Sequence, residues 1–209
     1  MTNTFIAVSG CGGGDRGPQG LYKILQETSK SNSFNVLPIE TVPEKIQENV
    51  DRISKISKEH LQKNENVYLM GYSMGAAIAV ITAHQLNQDG KHPIQGIVLL
   101  ASQTDGLHLI KTLDIPILFF HGNQDQYFSI GEIGRFYKKY GREKRMVQFD
   151  GVGHTFEPSN APSAPYCDRE GFARRVELEV SDFFFPSQNS VRILNERDQT
   201  QIPRADTTS

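Results

Sequence analysis

The chain has 209 residues, a formal net charge of -2 and two cysteines. This length fits one domain with a substantial core, and so small a charge argues against the basic surface that binds nucleic acid. Cys11 and Cys167 are too few for a disulfide framework, and their contexts offer no set of three or four metal ligands. We therefore expect reduced thiols, no nucleic-acid partner, and no metal or other cofactor.

The first residues lead almost directly into an apolar run, without the basic start and long apolar core of a signal peptide. No window approaches the roughly 18 consecutive apolar residues of a membrane span. A soluble, cytoplasmic protein is expected. Its oligomeric state is not readable from the sequence.

Apolar segments of strand length alternate with segments of helical period along the chain. Strands are predicted at residues 5–8, 34–39, 67–70, 97–100, 115–120 and 146–149. Helices are predicted from Leu21, from Pro43, after Ser73, and at residues 107–113, 130–140 and 172–184. The pattern is typical of an α/β domain over residues 1–185, with about six mostly parallel strands covered by helices on both faces. The polar, aperiodic tail 186–209 is expected to be disordered.

The most informative segment joins an apolar strand to a helix through Gly71-Tyr72-Ser73-Met74-Gly75. A serine at such a sharp turn has an exposed hydroxyl next to the free backbone N–H groups of a helix N-terminus, which suits a nucleophile. The motif has only three fixed residues, so by itself it also fits a glycine-rich turn that merely packs.

A nucleophilic serine needs a histidine base and an orienting carboxylate at the same edge of the sheet. Asp125 lies five residues past one predicted strand, in the segment that starts at His121-Gly122, and His154 lies five residues past another. Asp105 and Asp150 are competing carboxylates, and Asp125 is favoured over both. His121 is expected to order its own turn rather than act as a base.

With the elbow at Ser73, the His121-Gly122 segment leading to Asp125, and Gly153-His154 after the last strand, the chain resembles a small α/β-hydrolase. The resemblance implies a three-layer sandwich in which Ser73 is the nucleophile, His154 the general base and acid, and Asp125 the residue that orients the imidazole. It also implies an oxyanion hole made by the backbone N–H groups of Met74 and Cys11. Relative to the family's usual sheet, the N-terminal part is expected to be shortened, because the first predicted strand already leads to the oxyanion loop.

Two other interpretations of the loop around Cys11 are weaker. The glycines at positions 12–14 lack the lysine of a phosphate-binding loop and the spacing of a dinucleotide fingerprint. Cys11 could itself be a nucleophile, but the available histidine matches Ser73 better.

The loops predicted around the site are short, so we expect an open serine-hydrolase site with no helical lid. Tyr72, Tyr127, Phe128 and Phe156 are the candidate substrate-binding side chains and suggest an apolar wall. The expected substrate is a carboxylic ester or thioester, which includes acyl groups on larger carriers. A binding module with an inactive triad and a prolyl-type peptidase remain alternatives.

Overall fold

A computed structural model gives the fold and describes residues 1–11, 14–29, 34–88, 93–140, 143–157 and 168–186. Apart from Pro186, the tail 186–209 lies outside the described residues, as do residues 158–167, which include Cys167. The tail's predicted disorder therefore stays a prediction.

Six parallel strands form one sheet in the order β2-β1-β3-β4-β5-β6. Their bounds are β1 Asn3–Val8, β2 Asn35–Ile39, β3 Asn66–Tyr72, β4 Ile97–Leu100, β5 Ile117–Gly122 and β6 Lys144–Phe149. The predicted number of strands and their parallel arrangement are confirmed. The direction of strand addition reverses between β1 and β3, and in open parallel sheets such a switch point forms a crevice at the carboxyl ends of the strands.

Helices cover both faces of the sheet, as the alternating pattern predicts. The helices are α1 Leu21–Thr28, α2 Ile46–Gln62, α3 Met74–Gln88, α4 Ile130–Lys139 and α5 Arg169–Phe184. Successive side chains of a strand point to opposite faces, so Phe5 and Ala7 pack with α1 and α5, while Ile6 and Val8 pack with α2 and α3. The α/β three-layer sandwich is confirmed.

Helix α2 begins at Ile46, three residues later than its predicted start at Pro43. Glu44 has a φ of 60°, which a helix does not accommodate. The buried Asn49 holds this turn, since its side chain accepts a hydrogen bond from the Val42 N–H at 2.9 Å and donates to the carbonyls of Val42 and Lys45 at 2.8 and 2.9 Å. The short predicted helix at 107–113 is a 3₁₀ segment, Leu107–Thr112.

Gly75 is required because the start of α3 packs directly on the end of β1. A Cβ at this position would lie 2.2 Å from the Val8 carbonyl oxygen and 2.5 Å from that of Ser9. Such overpacking against backbone cannot relax by a rotamer change, so Gly75→Ala is expected to lower the free energy of unfolding by about 3 kcal/mol. Urea denaturation measures this loss.

Gly134→Ala in α4 is the matched control for that prediction. A Cβ at Gly134 meets nothing within 4 Å, so this variant is expected to gain about 0.5–1 kcal/mol from the better helix propensity of alanine. A Gly75→Ala protein as stable as the wild type would contradict the close contact between α3 and β1.

Candidate active site

Ser73 occupies the turn between β3 and α3 with a φ of 53°, in the left-handed region that non-glycine residues rarely adopt. The turn leaves no room for side chains on either side, because a Cβ at Gly71 would lie 2.3 Å from the Gly75 carbonyl oxygen. The Ser73 N–H donates to the Leu100 carbonyl at 3.0 Å, which ties the turn to β4. Ser73 is thus held at the sharp strand-to-helix turn that the sequence predicts.

His154 lies in the loop after β6 and contacts both of its predicted partners. Its Nε2 is 2.9 Å from Ser73 Oγ, and its Nδ1 is 2.8 Å from Asp125 Oδ2. A carboxylate can only accept, so Nδ1 carries the proton and Nε2 accepts from the Ser73 hydroxyl. The loops of Asp125 and His154 meet closely, since a Cβ at Gly122 would lie 2.3 Å from the Val152 carbonyl oxygen.

The Asp125 side chain is fully buried, and hydrogen bonds satisfy both of its oxygens. Oδ1 accepts from the backbone N–H groups of Tyr127 at 2.9 Å and Phe128 at 3.0 Å, while Oδ2 accepts from His154. Burial alone would raise the pKa of the Asp125 carboxyl, but the bonds from His154, Phe128 and Tyr127 outweigh it and hold the pKa below its ordinary value. Asp125 is therefore a carboxylate at neutral pH.

The competing carboxylates lie elsewhere. Asp105 is exposed, and its Oδ2 is 3.4 Å from Gln103 Nε2. Asp150 is also exposed, and its Oδ1 accepts from the side chains of Asn123 at 2.9 Å and Gln148 at 2.6 Å. Among these three carboxylates, Asp125 is the one that is hydrogen-bonded to His154 in the described structure.

His121, at the end of β5, supports the Asp125 turn. Its side chain is 1% exposed, and its Nε2 donates to the Phe128 carbonyl at 2.7 Å and lies 3.7 Å from Asp125 Oδ2. The Phe128 N–H in turn donates to Asp125, so His121 orders the turn that holds the carboxylate. The sequence predicts that His121 orders its own turn, but it does not show the hydrogen bond to the Phe128 carbonyl through which His121 supports Asp125.

Burial lowers the pKa of His121, and the nearby His154 adds to this, although the Phe128 carbonyl and Asp125 oppose it. A folded-state pKa below the unfolded value means that the unfolded chain binds more protons between the two values. The free energy of unfolding should therefore fall as the pH drops below about 6.5. Urea denaturation at several pH values should show a shallower decline for His121→Gln, and an equal decline would contradict a buried neutral His121.

Three predicted aromatic side chains surround the His154 ring. The ring centroids of Tyr72, Tyr127 and Phe128 lie 5.4, 5.1 and 5.8 Å from that of His154. Tyr127 is 67% exposed, whereas Tyr72 is buried. Burial, then the charges of Asp125 and Glu157 and the neighbouring Tyr127, raise the pKa of Tyr72 to about 12, so its hydroxyl stays protonated at neutral pH.

The prediction that Phe156 lines the substrate site is wrong. Its side chain is 1% exposed and stacks on Phe172 of α5, with ring centroids 4.8 Å apart. Phe156 also packs edge-on against Phe149 of β6. Its backbone has a φ of 60°, and the ring belongs to the core beneath the site.

The two predicted oxyanion donors belong to residues beside Ser73. Met74 is the first residue of α3, where backbone N–H groups have no partner inside the helix. Cys11 follows Gly10, and a Cβ on Gly10 would lie 3.1 Å from Ser73 Cβ. The binding of an oxyanion by these N–H groups stays a prediction.

The described residues contain no group of three or more His, Cys, Asp or Glu side chains that could hold a metal ion. Within the same residues, no helix is both long and apolar enough to cross a membrane.

The parallel sheet, the elbow at Ser73 and the carboxyl-end site define an α/β-hydrolase fold. Residues 21–184 match the dienelactone hydrolase family, and the chain belongs to that family of hydrolases. A search of curated proteins finds none that matches this chain.

Solved structures similar to this chain share its fold at low sequence identity. Est1E from Butyrivibrio proteoclasticus is 15% identical with a TM-score of 0.67, over 88% of this chain and 87% of that one. A dienelactone hydrolase from Anabaena variabilis is 16% identical with a TM-score of 0.67, over 88% and 86%. An alpha-beta serine hydrolase homologue from Coxiella burnetii is 15% identical with a TM-score of 0.63, over 86% and 84%.

Proposed function

We propose that this protein is a serine hydrolase that cleaves a carboxylic ester or thioester through an acyl-enzyme. The observation that carries the proposal is the continuous hydrogen-bonded series from Asp125 through His154 to Ser73, with distances of 2.8 and 2.9 Å. A buried carboxylate, an imidazole and a hydroxyl in this order are the elements of a general-base-activated nucleophile. Membership of a hydrolase family supports the same conclusion.

In the acylation half of the reaction, Ser73 Oγ attacks the acyl carbonyl carbon while His154 Nε2 takes the hydroxyl proton. The carbonyl π electrons move to oxygen and form a tetrahedral oxyanion. As this intermediate collapses, the bond to the alcohol or thiol breaks, and His154 returns the proton to the leaving group. Asp125 stabilises the imidazolium that exists between these two transfers.

In the deacylation half, water replaces the leaving group. His154 takes a proton from the water as its oxygen attacks the acyl carbon, and a second oxyanion forms. Collapse of this intermediate breaks the bond to Ser73 Oγ, releases the carboxylic acid and returns the proton to Ser73. The N–H groups of Met74 and Cys11 are the proposed donors to both oxyanions.

The rings around His154 favour an acyl or leaving group with apolar surface. Tyr127 is the most exposed of the three, so it is the one best placed to contact such a group. A second structure of Est1E, with ferulic acid bound, is similar in fold to this chain at 13% identity. The short loops that the sequence predicts around the site also fit an acyl group presented by a larger carrier, so esters and thioesters are both proposed.

Labelling with a fluorophosphonate probe tests the activated serine directly. Ser73 Oγ would form a bond to phosphorus as the P–F bond breaks and His154 takes the hydroxyl proton. Tryptic mapping by mass spectrometry should find the adduct on Ser73, and heat-denatured protein should remain unlabelled. A folded wild type that the probe does not modify would overturn the proposed function.

A further inference from the structure

Thr41, in the segment after β2, contacts the loop that carries the second proposed oxyanion donor. Its Oγ1 donates to the Gly10 carbonyl at 3.1 Å, and its backbone N–H donates to Ser9 Oγ at 3.1 Å. Ser9 and Thr41 are buried, with 0% and 6% of their surfaces exposed. Thr41 lies 31 residues from Gly10 in the sequence, so only the fold brings them together.

The Gly10 carbonyl belongs to the same peptide unit as the Cys11 N–H. The described chain has no cis peptide bond, so within this planar unit the C=O and N–H point in opposite directions. Strand β1 lies between β2 and β3. A carbonyl that points to Thr41 on the β2 side therefore directs the Cys11 N–H to the β3 side, where Ser73 lies.

A second hydrogen bond fixes the hydroxyl of Thr41. Ser9 Oγ and Thr41 Oγ1 are 3.4 Å apart, and because the Thr41 proton is given to Gly10, the Ser9 hydroxyl is the donor between them. The Thr41 N–H thus donates to the Ser9 hydroxyl oxygen, the Ser9 hydroxyl donates to the Thr41 hydroxyl oxygen, and the Thr41 hydroxyl donates to the Gly10 carbonyl. Bonds in such a buried series polarise one another, which strengthens the last one.

The segment that carries Thr41 is itself held in place. Asn49 is a buried residue, with 1% of its surface exposed. Its side chain makes the hydrogen bonds to the Val42 N–H and carbonyl described above. A rigid segment therefore supports the Thr41 side chain, and the Gly10 carbonyl has a fixed donor to meet.

We propose that Thr41 is a positioning residue that sets the orientation of the Gly10–Cys11 peptide and so aims the Cys11 N–H at the oxyanion. The inference rests on the proposed function. Without the hydroxyl, the Gly10 carbonyl has lost this donor, and rotation of the peptide unit would turn the Cys11 N–H away from Ser73. Thr41 acts through this peptide and does not touch the substrate.

Thr41→Val is the central variant because valine keeps the branched shape and removes only the hydroxyl. We expect this variant to lower kcat/KM for a p-nitrophenyl ester about 10- to 100-fold, mainly through kcat. The decrease should be no larger than the one caused by removing an oxyanion donor outright. Thr41→Ser keeps the hydroxyl, so its kcat/KM should remain within about threefold of the wild-type value. If Thr41→Val folds poorly by circular dichroism, Thr41→Ala removes the same donor without a methyl group facing Ser9.

Thr82→Val is the matched control for replacing a buried threonine. Thr82 lies in α3, is 0% exposed, and its Oγ1 has no hydrogen-bond partner within the described part of the chain. This variant removes a buried hydroxyl without breaking such a bond, and its kcat/KM should stay close to that of the wild type. An equal loss in Thr82→Val or in Thr41→Ser would overturn the inference, as would full activity in Thr41→Val.

Binding of a phenylboronic acid gives a second measure, because its tetrahedral adduct with Ser73 places an oxygen where the oxyanion forms. Thr41→Val should weaken its inhibition by the same factor as kcat/KM, whereas Thr82→Val should not. Equal boronate affinity in Thr41→Val and the wild type would overturn the inference. The proposed function is tested separately, by turnover of the wild type and by fluorophosphonate labelling of Ser73. If the wild type is active and Thr41→Val has the same kcat/KM, only the role of Thr41 is rejected.

Discussion

Replacing Ser73 with alanine is expected to lower kcat for p-nitrophenyl esters by about 10⁵- to 10⁶-fold. Triad members act as a unit, and loss of a nucleophilic serine typically costs on the order of 10⁶ in kcat, with a remainder from the oxyanion hole and substrate binding. Alanine keeps the φ of 53° and the packing of the turn but has no oxygen to attack the substrate. Steady-state kinetics over several acyl lengths measure the loss and report the acyl preference of the wild type.

Ser73→Gly is the matched control for the backbone. It also removes the nucleophile, so its activity should be as low as that of Ser73→Ala. Glycine adopts a positive φ without the ~1–2 kcal/mol penalty of other residues. Its cost in chain entropy on folding is somewhat smaller than this penalty. The Ser73→Gly variant should therefore be at least as stable as the alanine variant. Retention of more than a tenth of wild-type activity in either variant would show that Ser73 is not the nucleophile.

The parts of the site that the sequence predicts are those that a short segment specifies by itself. The elbow at Ser73 is local, because a strand, a tight glycine-flanked turn and a helix follow one another directly. The segments of Asp125 and His154 are predictable because each follows a strand, and parallel strands end at one edge of the sheet. The observed contacts of His154 with both residues agree with that reasoning.

Contacts between distant segments are not readable in this way. Thr41 and Gly10 meet because β2 and β1 are neighbours, and no feature of residues 38–42 marks a donor for that carbonyl. Phe156 shows the same limit for side-chain direction. An aromatic residue two positions after His154 suits a pocket wall or the core equally well, and its contacts with Phe149 and Phe172 place it in the core.

The start of α2 shows how a local rule is overridden. Proline is favoured in the first turn of a helix, which predicts a start at Pro43. Asn49 instead holds residues 42–45 in a turn through three hydrogen bonds, and the helix begins only afterwards. The later start leaves Thr41 in a segment that faces the oxyanion loop rather than at the edge of a helix.

Asp125→Asn is expected to lower kcat by about 10⁴-fold while leaving the fold intact, a loss of the size found when the carboxylate of a triad is replaced by an amide. The asparagine carbonyl can still accept from the N–H groups of Tyr127 and Phe128, which fixes its orientation. Its NH₂ group then occupies the position of Oδ2 and donates to His154 Nδ1. The imidazole must carry its proton on Nε2, where it faces Ser73 Oγ and cannot accept the hydroxyl proton.

Asp105→Asn and Asp150→Asn are the matched controls, since each makes the same chemical change at an exposed carboxylate after a neighbouring strand. Their contacts are with Gln103, or with Asn123 and Gln148, so both should keep kcat within about twofold, as is usual for surface substitutions. Kinetics on one ester series for all three variants compare them directly. If Asp105→Asn loses most of its kcat while Asp125→Asn turns over substrate at a near-normal rate, Asp125 is not the carboxylate that acts on His154 during catalysis.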